Sequence, residues 1–162
     1  MPPPPHSDRA DLAPADRARF TPRFNTGLLV VRLVVGLSFV FLHGGPKLLG
    51  GPETWTQLGG AMGGLGIAFA PAFWGFMAAF AEGVGGLCVV LGLFFRPASA
   101  LLLVTMIVAA LAHLIVFGDS FAEASHAIEL AGLFGAFLLT GPGRYALDRK
   151  TGLERAAGRG SR

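Results

Sequence analysis

The sequence predicts an all-α protein, a four-helix transmembrane bundle with a short interfacial helix between spans 1 and 2. Three observations carry this. The chain is 52% hydrophobic and only 14% charged, more apolar and less charged than ordinary soluble domains. Four apolar stretches are long enough to cross a bilayer, which needs about 20 such residues. Between them lie clusters of Gly, Pro and polar residues that read as turns.

At 162 residues the chain is short enough for one folding unit. It divides into a tail over 1–23, a membrane domain over 24–140 and a basic tail over 141–162. The first tail opens with MPPPP and scattered Asp and Arg; without an apolar core it is not expected to be a cleaved signal peptide, and its composition is that of a disordered segment.

Span 1 covers roughly Gly27 to Leu42, GLLVVRLVVGLSFVFL. Arg32 lies about one turn inside and can snorkel to the interface along its own aliphatic stem. The span is expected to end at His43, Gly44, Gly45, Pro46 and Lys47. The next stretch, Leu48 to Pro71, is too rich in glycine for a span. Pro52 and Glu53 suit the first turn of a helix, because proline needs no N–H there and a carboxylate favours the positive end of the helix dipole. With Trp55 it reads as an interfacial helix across the bundle's mouth.

Span 2 is the clearest stretch, Phe73 to Phe95, FWGFMAAFAEGVGGLCVVLGLFF, about 33 Å long as a helix. Its one ionisable residue is Glu82, near the middle. An ionised carboxylate facing lipid at that depth costs at least about 2.5–3.5 kcal/mol, so Glu82 should face the bundle interior, find a partner or carry a proton. Pro97 is placed to be the first residue of the next helix.

Span 3, roughly Ala98 to Phe117, is apolar except for Ser99, Thr105 and His113. Gly118, Asp119 and Ser120 form a turn and helix cap. Span 4, roughly Phe121 to Thr140, begins with Glu123, Ser125, His126 and Glu129, so its first half is expected to face protein. Gly141, Pro142 and Gly143 end it.

Four spans place both termini on one side. Of thirteen Lys and Arg residues only Lys47 falls on the other side, and the positive-inside rule puts both termini in the cytoplasm. The excess of basic residues is a topology signal, not a nucleic-acid footprint, since no DNA- or RNA-reading motif accompanies it. Cys88 is the only cysteine, which excludes an intramolecular disulfide or a CxxC redox pair. Small residues four apart, Ala79 with Gly83, Ala81 with Gly85, and Ala131 with Gly135, are the type of surface on which membrane helices pack closely.

Counting residues inward places Glu82, His43, His113, His126 and Glu129 in one layer contributed by all four spans. His126 and Glu129 share a helix face, and Arg32 is too shallow to be the simplest partner of Glu82. Three readings of the layer stand. It is polar glue between helices, or a ligand or proton site, or a metal site built from His43, His113, His126 and Glu82. The His-x-x-Glu order of His126 and Glu129 reverses that of di-iron bundles and occurs once. No metal is expected.

The stretches RLVVGLSFVFLHGGPKL, AAFAEGVGGLCVVLGLFFRPAS, LVTMIVAALAHL and GPGRYALD, in this order, resemble the DoxX family of small four-helix membrane proteins over about Leu28 to Asp148. The resemblance implies a multi-pass protein of the bacterial inner membrane. It makes Arg32, Lys47, Glu82 and Arg96 the positions most like the family motif. Relatives include quinone-reducing oxidoreductase subunits and proteins with thiol-handling partners. The implied function is a small membrane subunit or accessory of a redox system, binding a quinone or another lipid-soluble ligand; any enzymatic role is that of a quinone-linked oxidoreductase subunit, not a stand-alone enzyme. Glu82, His113 and His126 are candidates for proton handling, and His43, Lys47, Glu82, His126 and Glu129 for ligand binding. Partners would be the bilayer, a soluble or membrane redox protein, or further copies of the chain, and not nucleic acid. The alternative is a non-enzymatic scaffold or lipid-interacting bundle whose polar layer is structural.

Overall fold

A computed structural model describes residues 22–148, and most of the two tails, 1–21 and 149–162, lies outside them. The described residues form five helices and no strand: α1 (Pro22–Leu49), α2 (Gly51–Gly64), α3 (Pro71–Leu91), α4 (Phe95–Phe117) and α5 (Phe121–Thr140). All but α2 are long and apolar enough to cross a membrane. The chain is a membrane protein with the four-span architecture its apolar pattern predicts.

Span 1 is longer than expected. The helix does not stop at Leu42 but passes through a π-helical segment, Phe39–Gly44, and continues over Gly45–Leu49. Pro46 lacks an N–H and would ordinarily interrupt a helix, but it follows immediately on the wider π turns, where the regular hydrogen-bond ladder is already displaced. At its start the helix includes Pro22 and Arg23, which the expected tail had claimed.

The hairpin between α3 and α4 also differs. α3 ends at Leu91 and is capped by Gly92, whose φ of 65° is the left-handed conformation glycine favours. Helix α4 starts at Phe95, so Pro97 sits within its first turn and is not its first residue. Phe94, between them, has a φ of 46°, a costly conformation for a residue with a Cβ.

Helices α1 and α3 meet along glycines. A Cβ on Gly44 would overlap the backbone of Glu82 and Gly83, and one on Gly36 would press on Val90 and Gly86. Helix α2 packs on the start of α3 in the same manner, with Gly59 against Pro71 and Gly75 against Trp55. It is therefore docked on the bundle. The core nearer the termini is filled by Phe39, Val89, Phe95, Leu102, Met106, Phe134 and Phe137, with Phe39 edge-on to Phe134. Of the small pairs, those of α3 are buried. Gly135 has nothing within reach of an added Cβ among the described residues, while Ala131 packs against the core, so this pair is not a close-packing surface like those of α3.

Candidate functional site

Glu82 is 4% exposed, and its partner is Lys47: Nζ donates to Oε2 at 2.6 Å. The continuation of α1 past the π segment makes this possible, because a helix ending at Leu42 would have left Lys47 in a loop outside the bundle. The Gly44 and Gly83 backbones touch beside the pair, so Lys47 reaches Glu82 from one turn further along. Trp55 of α2 holds the same stretch by donating its indole N–H to the Lys47 carbonyl at 2.9 Å, and its ring packs on Phe76 of α3 at 5.0 Å.

His43 lies within electrostatic reach of Glu82, Lys47 and His126. Its ring stacks on His126 with centroids 5.8 Å apart and packs against Phe39 on its other flank. The four groups form a cluster. Glu82 is buried at one end, Lys47 and His43 are partly buried, and His126 is exposed on the outer surface between α1 and α5. Such an arrangement holds a charge pair in the protein while leaving one end open to whatever surrounds the bundle.

Two predicted site residues are not brought to this cluster. His113 sits in the last turns of α4, with Nδ1 2.6 Å from Asp119 Oδ2, so Asp119 is a side-chain hydrogen-bond partner as well as a turn residue. The cap of α5 is Ser120, in a capping box with Glu123. Glu129 is exposed near the middle of α5 and has no polar partner among the described residues. The expected protein-facing first half of span 4 is thus, within one chain, an outward face carrying Glu123, His126 and Glu129. The five residues therefore do not converge on one cluster of side chains. Among the described residues no three His, Cys, Asp or Glu side chains converge as a metal-ligand set.

A second polar cluster lies at the end of the bundle where Pro22 and Asp148 are found, outside the expectations from sequence. Arg32 does not snorkel: it is 1% exposed. Its Nε and Nη2 donate to the Val89 and Val90 carbonyls at 2.9 and 3.0 Å, and its Nη1 to the Pro142 carbonyl at 2.6 Å. The first two belong to the last turn of α3, where Val89 O also accepts from the Gly92 N–H and the carbonyls carry the negative end of the helix dipole. Arg32 also lies over the Phe95 ring, 5.3 Å from its centroid. Asp148 accepts from the Phe94 and Phe95 N–H groups, both at 2.9 Å, which caps α4 and holds Phe94 in its left-handed conformation. Asn25 accepts from the Arg144 N–H at 2.7 Å. Thus residues 141–148 fold back across the ends of α1, α3 and α4. The signal in the sequence was the GPGRYALD stretch, but neither spacing nor periodicity says what it touches.

The DoxX family model matches residues 27–117, covering α2, α3 and nearly all of α1, and ending at the last residue of α4. No curated protein and no solved structure matches.

Proposed function

The chain belongs to the DoxX family, and from that premise we propose that it is a small membrane subunit or accessory of a redox system that binds a quinone or a similar lipid-soluble carbonyl compound. The observation that supports this reading is the cluster of buried Glu82, Lys47 and His43 with exposed His126 at its surface. A ligand arriving within the bilayer would meet His126 first. Reducing a quinone to a quinol takes two electrons and two protons. The electrons would come from a partner redox protein. This chain would supply hydrogen bonds and protons: His126 and His43 at the ligand's oxygens, Lys47 as a donor, and Glu82 as the counter-charge that keeps Lys47 in place. Trp55 and α2 would close the site at the end opposite the termini.

We further propose a bacterial inner membrane setting with both termini cytoplasmic. Arg23, Arg96 and Arg144 are exposed together at the terminal end, where anionic lipid headgroups favour basic residues.

The test is quenching of the two tryptophans by a short-chain quinone titrated into protein in lipid nanodiscs. Saturable quenching is expected, weakened about tenfold or more by Glu82→Gln and by His126→Leu, and unchanged by Arg96→Gln. Equal quenching in the parent and Glu82→Gln proteins would remove the proposal. One observation favours the structural alternative: Glu82 is already fully buried and paired. That reading expects Glu82→Gln to lower thermal stability while quinone binding and every linked redox activity stay as they were.

A further inference from the structure

Glu129 stands apart from the other ionisable residues deep in the spans. Arg32 has three carbonyls, and Lys47 has Glu82. Glu129 has no polar partner among the described residues, yet it is exposed near the middle of an apolar helix. Past the first turn of α5, where Phe121, Ala122 and Glu123 are all exposed, the exposed residues recur three or four apart, His126, Glu129, Gly132, Ala136 and Leu139, and with Ala122 they form a single stripe along one side of the helix. Gly132 has nothing within 4 Å of an added Cβ, which leaves room for another backbone. The stripe carries both an acid and a base, Glu129 and His126, one turn apart.

We propose that α5 is the two-fold interface between two copies of this chain, with Glu129 of each copy paired to His126 of the other. Copies in one membrane share an orientation, so their two-fold axis runs along the bilayer normal and sets like residues at like depth. A self-complementary face must then carry its own partner within about a turn, which His126 supplies, about 4.5 Å along the axis from Glu129. A different protein would have to bring a matching base of its own. Small residues at Ala122, Gly132 and Ala136 allow the close approach that membrane helices use where no hydrophobic effect drives them together. The carboxylate would leave the lipid, and the outward first half of α5 would face protein. The pairing uses His126, which the proposed quinone site also uses, so in the dimer a ligand would reach His43 and Lys47 past a His126 already held by Glu129 of the other copy; the pairing itself needs no ligand.

The test is oxidative cross-linking in native membranes with single cysteines in a Cys88→Ser background. Ala136→Cys should give a band at twice the monomer mass, whereas Val104→Cys, exposed on α4, should not. Adding Glu129→Leu to Ala136→Cys should reduce the dimer band about tenfold at matched expression. Equal bands at both positions, no band at Ala136→Cys, a cross-link to a protein of another mass, or a band indifferent to Glu129→Leu would each overturn the proposal. Quinone quenching is read separately, so a failed interface and a failed ligand site are distinguishable.

Discussion

Replacing Arg32 with lysine separates two accounts of a basic residue inside a span. If Arg32 serves by reaching the interface, lysine, which also snorkels, should serve as well. If it serves by bonding three carbonyls, lysine should fail in part. The guanidinium fork places three N–H groups on Val89, Val90 and Pro142 at 2.9, 3.0 and 2.6 Å, in a position that is 1% exposed. A hydrogen bond from a charged donor contributes about 1.5–3 kcal/mol net. Neighbouring bonds on one group are not additive, so about 4 kcal/mol is expected for Arg32→Leu rather than the full sum. An ammonium is a point donor that can keep one or two of the three contacts, so Arg32→Lys should lose about 2 kcal/mol. For a chain of this length each kcal/mol moves the midpoint by about 2–4 °C. The expected falls are then about 4–8 °C for Arg32→Lys and about 8–16 °C for Arg32→Leu. The assay is thermal unfolding in one detergent, followed by tryptophan fluorescence at a fixed scan rate. A lysine variant within about 1 °C of the parent would refute the three-carbonyl argument.

The remaining predictions follow from packing and capping. Asp148→Ala removes the acceptor of two N–H groups and should cost about 1–2 kcal/mol, with hydrogen exchange accelerated at the Phe94 and Phe95 amides and not in α5. Gly44→Val drives a side chain into the backbone of Glu82 and Gly83; it should separate α1 from α3, break the Lys47–Glu82 pair, and cost more than about 3 kcal/mol, read as loss of folded protein on size-exclusion chromatography. By contrast Gly27→Ala, where an added Cβ meets nothing, should be neutral or stabilising by up to about 1 kcal/mol in the same melts. Ser120→Ala breaks the capping box with Glu123 and should cost about 1 kcal/mol, detected as faster exchange in the first turn of α5.

The parts of the fold legible in the sequence are those fixed by local chemistry. Span 4 was bounded correctly at Phe121 and Thr140 because a serine cap precedes it and a glycine follows it. The spans themselves follow from apolar length alone. Span 1 was cut short because His43, Gly44, Gly45 and Pro46 look like a helix break, and only the π turns before Pro46 carry the helix through. That error hid the partner of Glu82: Lys47 is a candidate by resemblance, but ending the span before it leaves it in a turn on the far side of the membrane. The approach of His43 to His126 follows from helix depth, whereas the separation of His113 depends on where a side chain points, which depth does not report. Arg32 and Asp148 were unreadable in another sense. Their partners lie 57, 58 and 110 residues away for Arg32 and 53 and 54 for Asp148, and no local pattern encodes such pairs.

Those separations also set an order of events during synthesis. Arg32 emerges early, but the Pro142 carbonyl is made 110 residues later, roughly 5–20 s at ordinary translation rates. The start of α4 likewise waits for Asp148, 54 residues beyond Phe94. All four spans are therefore translated before the terminal end of the bundle can be fastened. Until then Arg32 has only the α3 carbonyls, and Phe94 has no carboxylate to hold its left-handed turn. The stretch 141–148 is a latch fitted last, and a chain stopped at Thr140 would contain every span while lacking the clasp that joins them.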